Sequence, residues 1–164
     1  MKNVILKLAV SAALALGAGT ACAEVLVNYV QPERFSDLPS IRQDREQILE
    51  ELTRHFAKLG AQLPQGQNLL VDVEDIDMAG RELPGTSTKT ARAISGVDWP
   101  RIQLQFEIES NGKIVRSGKV ALRDMAFSSR ATRYHNGDAL RFEKRLLDEW
   151  FYATILPSER SARR

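Results

Sequence analysis

Arg101-Ile102-Gln103-Leu104-Gln105-Phe106-Glu107-Ile108-Glu109 alternates without a break between polar and apolar side chains. Successive side chains of a β-strand point to opposite faces, so this stretch reads as a strand with one buried and one wet face. Ser110-Asn111-Gly112 follows, and the chain returns over Lys113 to Leu122. The pair is an antiparallel hairpin whose register depends on the turn. A two-residue Asn111-Gly112 turn sets Glu109 opposite Ile114 and Ile108 opposite Val115. Ile102, Leu104 and Phe106 then share a face with Ser117, Lys119 and Ala121. A three-residue loop, with Gly112 left-handed in a bulge, sets Glu109 opposite Lys113, Ile108 opposite Ile114, Leu104 opposite Gly118 and Ile102 opposite Val120. A one-residue slip turns every side chain over, and the second register gathers more apolar groups on one face. The expectation is the three-residue loop.

Upstream, Val25, Val27 and Tyr29 alternate with Leu26, Asn28 and Val30. Apolar residues on both faces suit an interior strand. Pro32 to Pro39 breaks it. Ser40 opens a helix with Gln43 in capping-box position. Ile41, Ile48, Leu49, Leu52, Phe56 and Leu59 form one apolar stripe, and Gly60 ends it. His55, beside Phe56, reads as half-exposed. After Pro64-Gln65-Gly66, Leu69, Val71 and Val73 alternate with Leu70, Asp72 and Glu74 in a second strand running to about Ile76. Strand, helix and strand form a right-handed crossover with parallel strands. Asp77 to Pro100 is a long polar segment, and segments of this length are characteristically functional or mobile. Beyond the hairpin, Arg123 to Tyr134 is irregular and basic. Asn136-Gly137-Asp138 caps a second helix with Leu140, Leu147, Trp150, Phe151 and Ile155 on its apolar face. Lys144–Asp148 and Arg145–Glu149 read as exposed pairs four residues apart. Pro157 stops the helix. The fold class is α+β in the order β-α-β-β-β-α, a mixed four-stranded sheet with both helices packed on one face.

The chain opens as an export leader. Lys2 and Lys7 precede an apolar run from Leu8 to Ala21 that is too short to span a bilayer, and Ala21-Cys22-Ala23 supplies the small residues of a cleavage site. Cleavage before Glu24 leaves 164 less 23 residues, or 141, enough for one domain at 24–156 with a basic tail at 157–164. It also discards the single cysteine and two lysines, so the precursor's 23 basic residues fall to 21 against 21 acidic ones. The overall charge then gives no ground for nucleic-acid binding. No second apolar stretch has the length of a membrane span. Cleavage after Ala21 would instead make Cys22 a lipid anchor, but Gly19 stands where an apolar residue is expected. The expected location is the bacterial periplasm.

The candidate chemistry is sparse. Asp72, Asp75 and Asp77 belong to an acidic run, with Glu74, whose carboxylates suit Ca²⁺ or Mg²⁺, though the glycine and glutamate of a calcium loop are out of register. The two histidines, His55 and His135, make no zinc motif. His135 can pair with Ser128 or Ser129, but no nucleophile-elbow motif is present. Glycine-rich phosphate loops are absent and no cofactor is indicated. Arg123 and Asp124, with Arg130 and Arg133, suit either an anion site or a local ion pair. Trp99, in Val97-Asp98-Trp99-Pro100, is either a ligand contact or a plug over the core's edge.

Several pieces together resemble a family. They are Leu70 to Gly80 (LVDVEDIDMAG), Trp99-Pro100-Arg101-Ile102, Asn111-Gly112-Lys113 with Ser117-Gly118, Leu122 to Phe127 (LRDMAF), and Leu140 to Lys144 (LRFEK) running into Leu146 to Trp150 (LLDEW). This pattern is similar to a family of exported proteobacterial proteins of unknown function, and covers nearly all of the mature chain. The resemblance implies a periplasmic single-domain protein and carries no catalytic residues. The stretch Thr86 to Ser95 departs from it. Two readings follow. One is a non-catalytic binding module for an envelope protein or cell-wall component, contacting it through the 77–100 and 123–135 segments. The other is a small hydrolase or divalent-metal enzyme using the acidic run and His135.

Overall fold

The computed structural model describes residues 23–82 and 92–156. Residues 1–22 with Cys22, the 83–91 part of the long polar segment and the tail from Pro157 lie outside the described residues.

The elements are β1 (Val25–Tyr29), α1 (Arg42–Gly60), β2 (Gln67–Asp77), β3 (Arg81–Glu82), β4 (Arg92–Ala93), β5 (Arg101–Ser110), β6 (Lys113–Arg123) and α2 (Arg141–Trp150). A single 3₁₀ turn at Pro32–Arg34 follows β1, and a π-helical turn at Phe151–Ile155 extends α2. Four strands make a mixed sheet in the order β1-β2-β5-β6, and β3 and β4 make a small ribbon. β1 and β2 are parallel and adjacent; β2–β5 and β5–β6 are antiparallel. Both helices pack on the face built from Leu69, Val71, Val73, Ile76, Ile102, Leu104, Phe106 and Ile108. The opposite face is open. This is the α+β architecture that the strand and helix periodicities predict.

Two bulges set which side chains reach that core. In β2 the register with β5 slips between Val73 and Asp75. The buried series therefore passes from Leu69, Val71 and Val73 to Ile76, and Asp75 stays off the core face. In β6 the slip falls beside Ile108 and Glu109. The turn itself is the two-residue one. Asn111 and Gly112 both have positive φ, 51° and 73°, and Ser110 pairs with Lys113 and Glu109 with Ile114. This corrects the three-residue expectation. Left alone, that turn would send Ser117, Lys119 and Ala121 inward. One extra residue, Val115, reverses the parity, so Phe106 meets Gly118, Leu104 meets Val120 and Ile102 meets Leu122. The hydrophobic face does prevail, through a bulge in the strand and not through a longer loop.

β1 corrects a second expectation. It is an edge strand, although its residues are apolar on both faces, and Leu26 is 53% exposed. At α1, the helix begins at Arg42 with Ile41 as its N-cap and no side-chain capping bond, so the Ser40–Gln43 box does not form. Arg45 Nη1 instead donates to the Pro39 and Ser40 carbonyls. Ile41 is exposed, outside the stripe that the helical spacing assigns it to.

Gly60 does end α1, for a reason other than backbone freedom. It lies so close to β1 that an added Cβ would stand 1.7 Å from Val25 Cγ2. The missing side chain lets the helix sit down on the edge strand. In an open helix, glycine to alanine is favourable by about 1 kcal/mol. Here the overlap exceeds that gain, since overpacking a core costs about 1–3 kcal/mol. Gly60→Ala is therefore expected to lower the urea midpoint, and adding Val25→Ala to recover part of the loss. An increase in midpoint for Gly60→Ala alone would contradict the close approach.

Candidate functional site

α2 carries Leu140, Leu147, Trp150, Phe151 and Ile155 on its predicted inner face, and all are buried. Four of its charged residues are not on a wet side. Glu143, Lys144, Arg145 and Asp148 are at most 8% exposed, which overturns the reading of Lys144–Asp148 and Arg145–Glu149 as surface pairs. A buried charge is unfavourable unless it is paired and hydrogen-bonded. Each of these four meets partners beyond α2.

Arg145 has the fullest set. Nη2 donates to Asp124 Oδ2 at 2.8 Å and to the Phe127 carbonyl at 2.8 Å. Nη1 donates to the carbonyls of Arg130 and Ala131 at 2.8 and 3.2 Å. Asp124, itself buried, accepts from the Ala126 amide at 3.0 Å and from Arg130 Nη1 at 3.0 Å. Arg130 continues to Glu149. One guanidinium thus fastens the whole 124–131 turn, and its fork geometry suits this use better than an ammonium would.

Asp148 accepts from the Tyr134 hydroxyl at 2.6 Å, lies 2.9 Å from Arg133 Nη2 and stands 3.0 Å from His55 Nε2 on α1. Burial alone would raise its pKa. The bond from Tyr134, the charge of Arg133 and the nearby His55 ring outweigh it and hold the carboxyl below its usual range. Tyr134 is pushed up to about 12 by burial and by its bond to Asp148. His55 is buried here, not half-exposed as its position beside Phe56 suggests. Lys144 bridges Glu51 of α1 and Asp138 Oδ2. Asp138 accepts from the Leu140 amide at 2.9 Å, but the second helix starts at Arg141 with Leu140 as its N-cap and no side-chain capping bond, so the Asn136-Gly137-Asp138 cap does not form.

Glu143 is 1% exposed, and its Oε1 accepts from the Ala79 amide at 2.8 Å. Oε2 has no hydrogen-bond partner among the described residues. Burial raises this carboxyl's pKa against the pull of that amide and of Arg92. Arg92, on β4, donates to the Ala79 carbonyl at 2.9 Å and to the Gly80 carbonyl at 2.6 Å, and pairs with Asp37. Phe127 and Phe142 meet edge to face at 4.8 Å in a small second core with Ala79 and Trp99. Residues 79–82 and 92–98 and the segment 124–138 are in this way anchored side by side at one end of the sheet.

The residues singled out in the sequence fall into this frame separately. Trp99 packs on the second core, with the Arg101 guanidinium 5.6 Å from its ring. Asp124 and Arg130 form the local ion pair. Arg133 turns to Asp148 on the other side of the turn, and Arg123 is exposed on β6 opposite Arg101. Asp72 accepts from Asn28, Asp75 from the amide and hydroxyl of Ser36, and Asp77 from Arg101. Among the described residues, no group of three or more carboxylates, histidines or cysteines is placed to hold a metal ion. His135 Nδ1 accepts from the Gly137 amide, and the Ser129 hydroxyl donates to the Ala126 carbonyl, so both serve local turns. A cleft of about 470 Å³ opens beside His55 and Tyr134. Of its cations Arg54, Lys58, Arg133 and Lys144, three are matched: Arg54 by Glu50, Arg133 by Asp148, and Lys144 by Glu51 and Asp138.

The buried charges of α2 escape a sequence reading because charged side chains four apart look like a solvated face. A signal is present: Phe142 and Leu146 lie off the Leu140–Leu147–Phe151 stripe, so apolar residues surround the helix. A helix of that kind is buried on all sides.

Glu143 supplies a pH test. A carboxyl whose folded pKa is raised binds its proton more tightly when folded. Its contribution is lost as pH rises from the unfolded value, about 4.3, through the raised folded one. Glu143→Gln keeps the acceptor for Ala79 and removes the titration. The stability of the variant relative to the parent is expected to increase in urea unfolding as pH rises above the ordinary carboxylate range. A difference that stays constant with pH would count against the buried acid.

No curated protein matches the chain. Among solved structures, it is similar to a DUF330-family protein from Xanthomonas campestris at 11% identity, with a TM-score of 0.40 over 88% of this chain and 90% of that one. It is similar to a PelC dodecamer from Paraburkholderia phytofirmans at 12% identity, with a TM-score of 0.33 over 77% and 84%. A lipoprotein from Neisseria meningitidis gives 12% identity and a TM-score of 0.34 over 83% and 99%. A family model described as a protein of unknown function, DUF3016, matches residues 23–153, and the chain belongs to that family.

Proposed function

We propose that this protein is a non-catalytic binding module of the bacterial envelope, exported to the periplasm. Its contact surface is formed by the 77–100 and 123–135 segments. The observation that carries the reading is how α2 uses its buried charges. Arg145 fixes 124–131, Asp148 fixes Tyr134, and Glu143 with Arg92 fixes Ala79 and Gly80. Ordering loops in advance lowers the entropy lost on binding, and rigidly held loops are a common place for recognition. Ile94, Val97 and Met125 stand exposed on these segments. The export pattern at Lys2, Lys7 and Ala21-Cys22-Ala23 supports the location. Among the described residues no helix is long and apolar enough to cross a membrane. The partner is an envelope protein or a cell-wall component.

A photo-crosslinking side chain placed at Val97 or Met125 in cells tests this. The expected result is a discrete adduct from those positions and none from Lys113, at the far end of the hairpin. Adducts equal to those of Lys113, or none at all, would refute the surface.

A further inference from the structure

Among the described residues, β1 presents a free sheet edge with room on both sides of it. The Leu69 amide donates to the Glu24 carbonyl and the Val30 amide to the Val73 carbonyl, both at 2.9 Å. With the parallel register Val25↔Leu69 to Tyr29↔Val73, the even-numbered residues of β1 therefore bond to β2. The N–H and C=O groups of Val25, Val27 and Tyr29 point away from the sheet. Exposed edges invite pairing, and proteins usually blunt them with lysines, prolines or bulges. β6, the other edge, is blunted in this way, with Lys113, Arg116, Lys119 and Arg123 and the bulge at Val115. Val25-Leu26-Val27-Asn28-Tyr29 has none of these devices.

Clefts flank this edge on both faces. On the helix side, one of about 480 Å³ is walled by Val27, Tyr29 and Leu49, with Glu46, Glu50, Thr53 and Arg54 at its rim. On the open side, one of about 440 Å³ runs over Leu26, Asn28, Leu70 and Asp72, with Glu107 and Lys119 beyond. An added strand points alternate side chains to opposite faces, so it needs a receiving groove on each. Each groove also holds two carboxylates against one cation: Glu46 and Glu50 against Arg54, and Asp72 and Glu107 against Lys119.

We infer that β1 takes up an extended segment of a partner protein by strand addition, aliphatic at alternate positions and flanked by lysine or arginine. The helix-side groove takes the aliphatic side chains between β1 and α1. The excess carboxylates attract the basic flanks. This edge is separate from the loop surface proposed above, and each can fail without the other.

The probe is the synthetic peptide Lys-Val-Thr-Val-Thr-Val-Lys, titrated into ¹⁵N-labelled mature protein. Binding is expected to shift the amides of Val25, Val27 and Tyr29 and those of α1 from Leu49 to Thr53. Val27→Pro removes an outward N–H without touching the β1–β2 ladder, a position where an edge strand tolerates proline. It is expected to weaken binding by roughly tenfold or more. The same peptide N-methylated at alternate residues tests the backbone pairing without altering the protein, and a Glu-ended peptide tests the charge. No shift at β1 with the lysine peptide, unchanged affinity after N-methylation, or equal affinity of the Glu-ended peptide would overturn the inference. So would concentration-dependent self-association through the same amides, which would make a second copy the occupant.

Discussion

The Arg145 guanidinium, buried against Asp124, is the constraint on which this end of the molecule depends. It satisfies a carboxylate and three backbone carbonyls of a turn that has no regular secondary structure. Breaking one half of a buried ion pair costs about 3–5 kcal/mol, because the remaining charge is left without compensation. That is a large part of the ~5–15 kcal/mol by which a domain of this size is stable. Glu143, Lys144 and Asp148 extend the principle along the same helix. α2 is both a core helix, through Leu147 and Phe151, and a peg through which α1 and two loops are joined.

The sheet beneath depends on parity. β2 and β6 each include one extra residue, and each bulge reverses the alternation where it would otherwise bring a polar side chain to the core. In β6 it brings Val120 and Leu122 over Leu104 and Ile102. Gly118 leaves room for the Phe106 ring, which meets Trp150 edge to face at 5.6 Å. The bulges are therefore the local adjustments by which a tight Asn-Gly turn and a continuous hydrophobic face coexist.

Periodicity alone makes the strands, the two helices and their shared sheet face legible in the sequence. It misleads where two principles compete. The hydrophobic face of β6 follows from its pattern, but a longer turn is not what delivers it: a tight turn and a bulge do so together. The apolar sides of β1 suggest an interior strand, because burial and strand position are separate properties: the helix side is covered, and the edge is not. The candidate site is least legible. Charge on α2 reads as solvation, and no local pattern shows that Asp124, 21 residues away, will meet Arg145. Asp72, Asp75 and Asp77 look like one cluster in sequence. The bulge and separate partners at Asn28, Ser36 and Arg101 divide them.

The central claim is that the buried charges of α2 hold the 124–138 segment independently of the sheet. Amide hydrogen exchange on Arg145→Met, under conditions where the protein stays folded, tests it most directly. The account predicts faster exchange at the amides of Ala126 and Ser129, with those of Val71 and Leu104 unchanged. Unchanged exchange at Ala126 and Ser129, or an equal acceleration across the sheet, would contradict it.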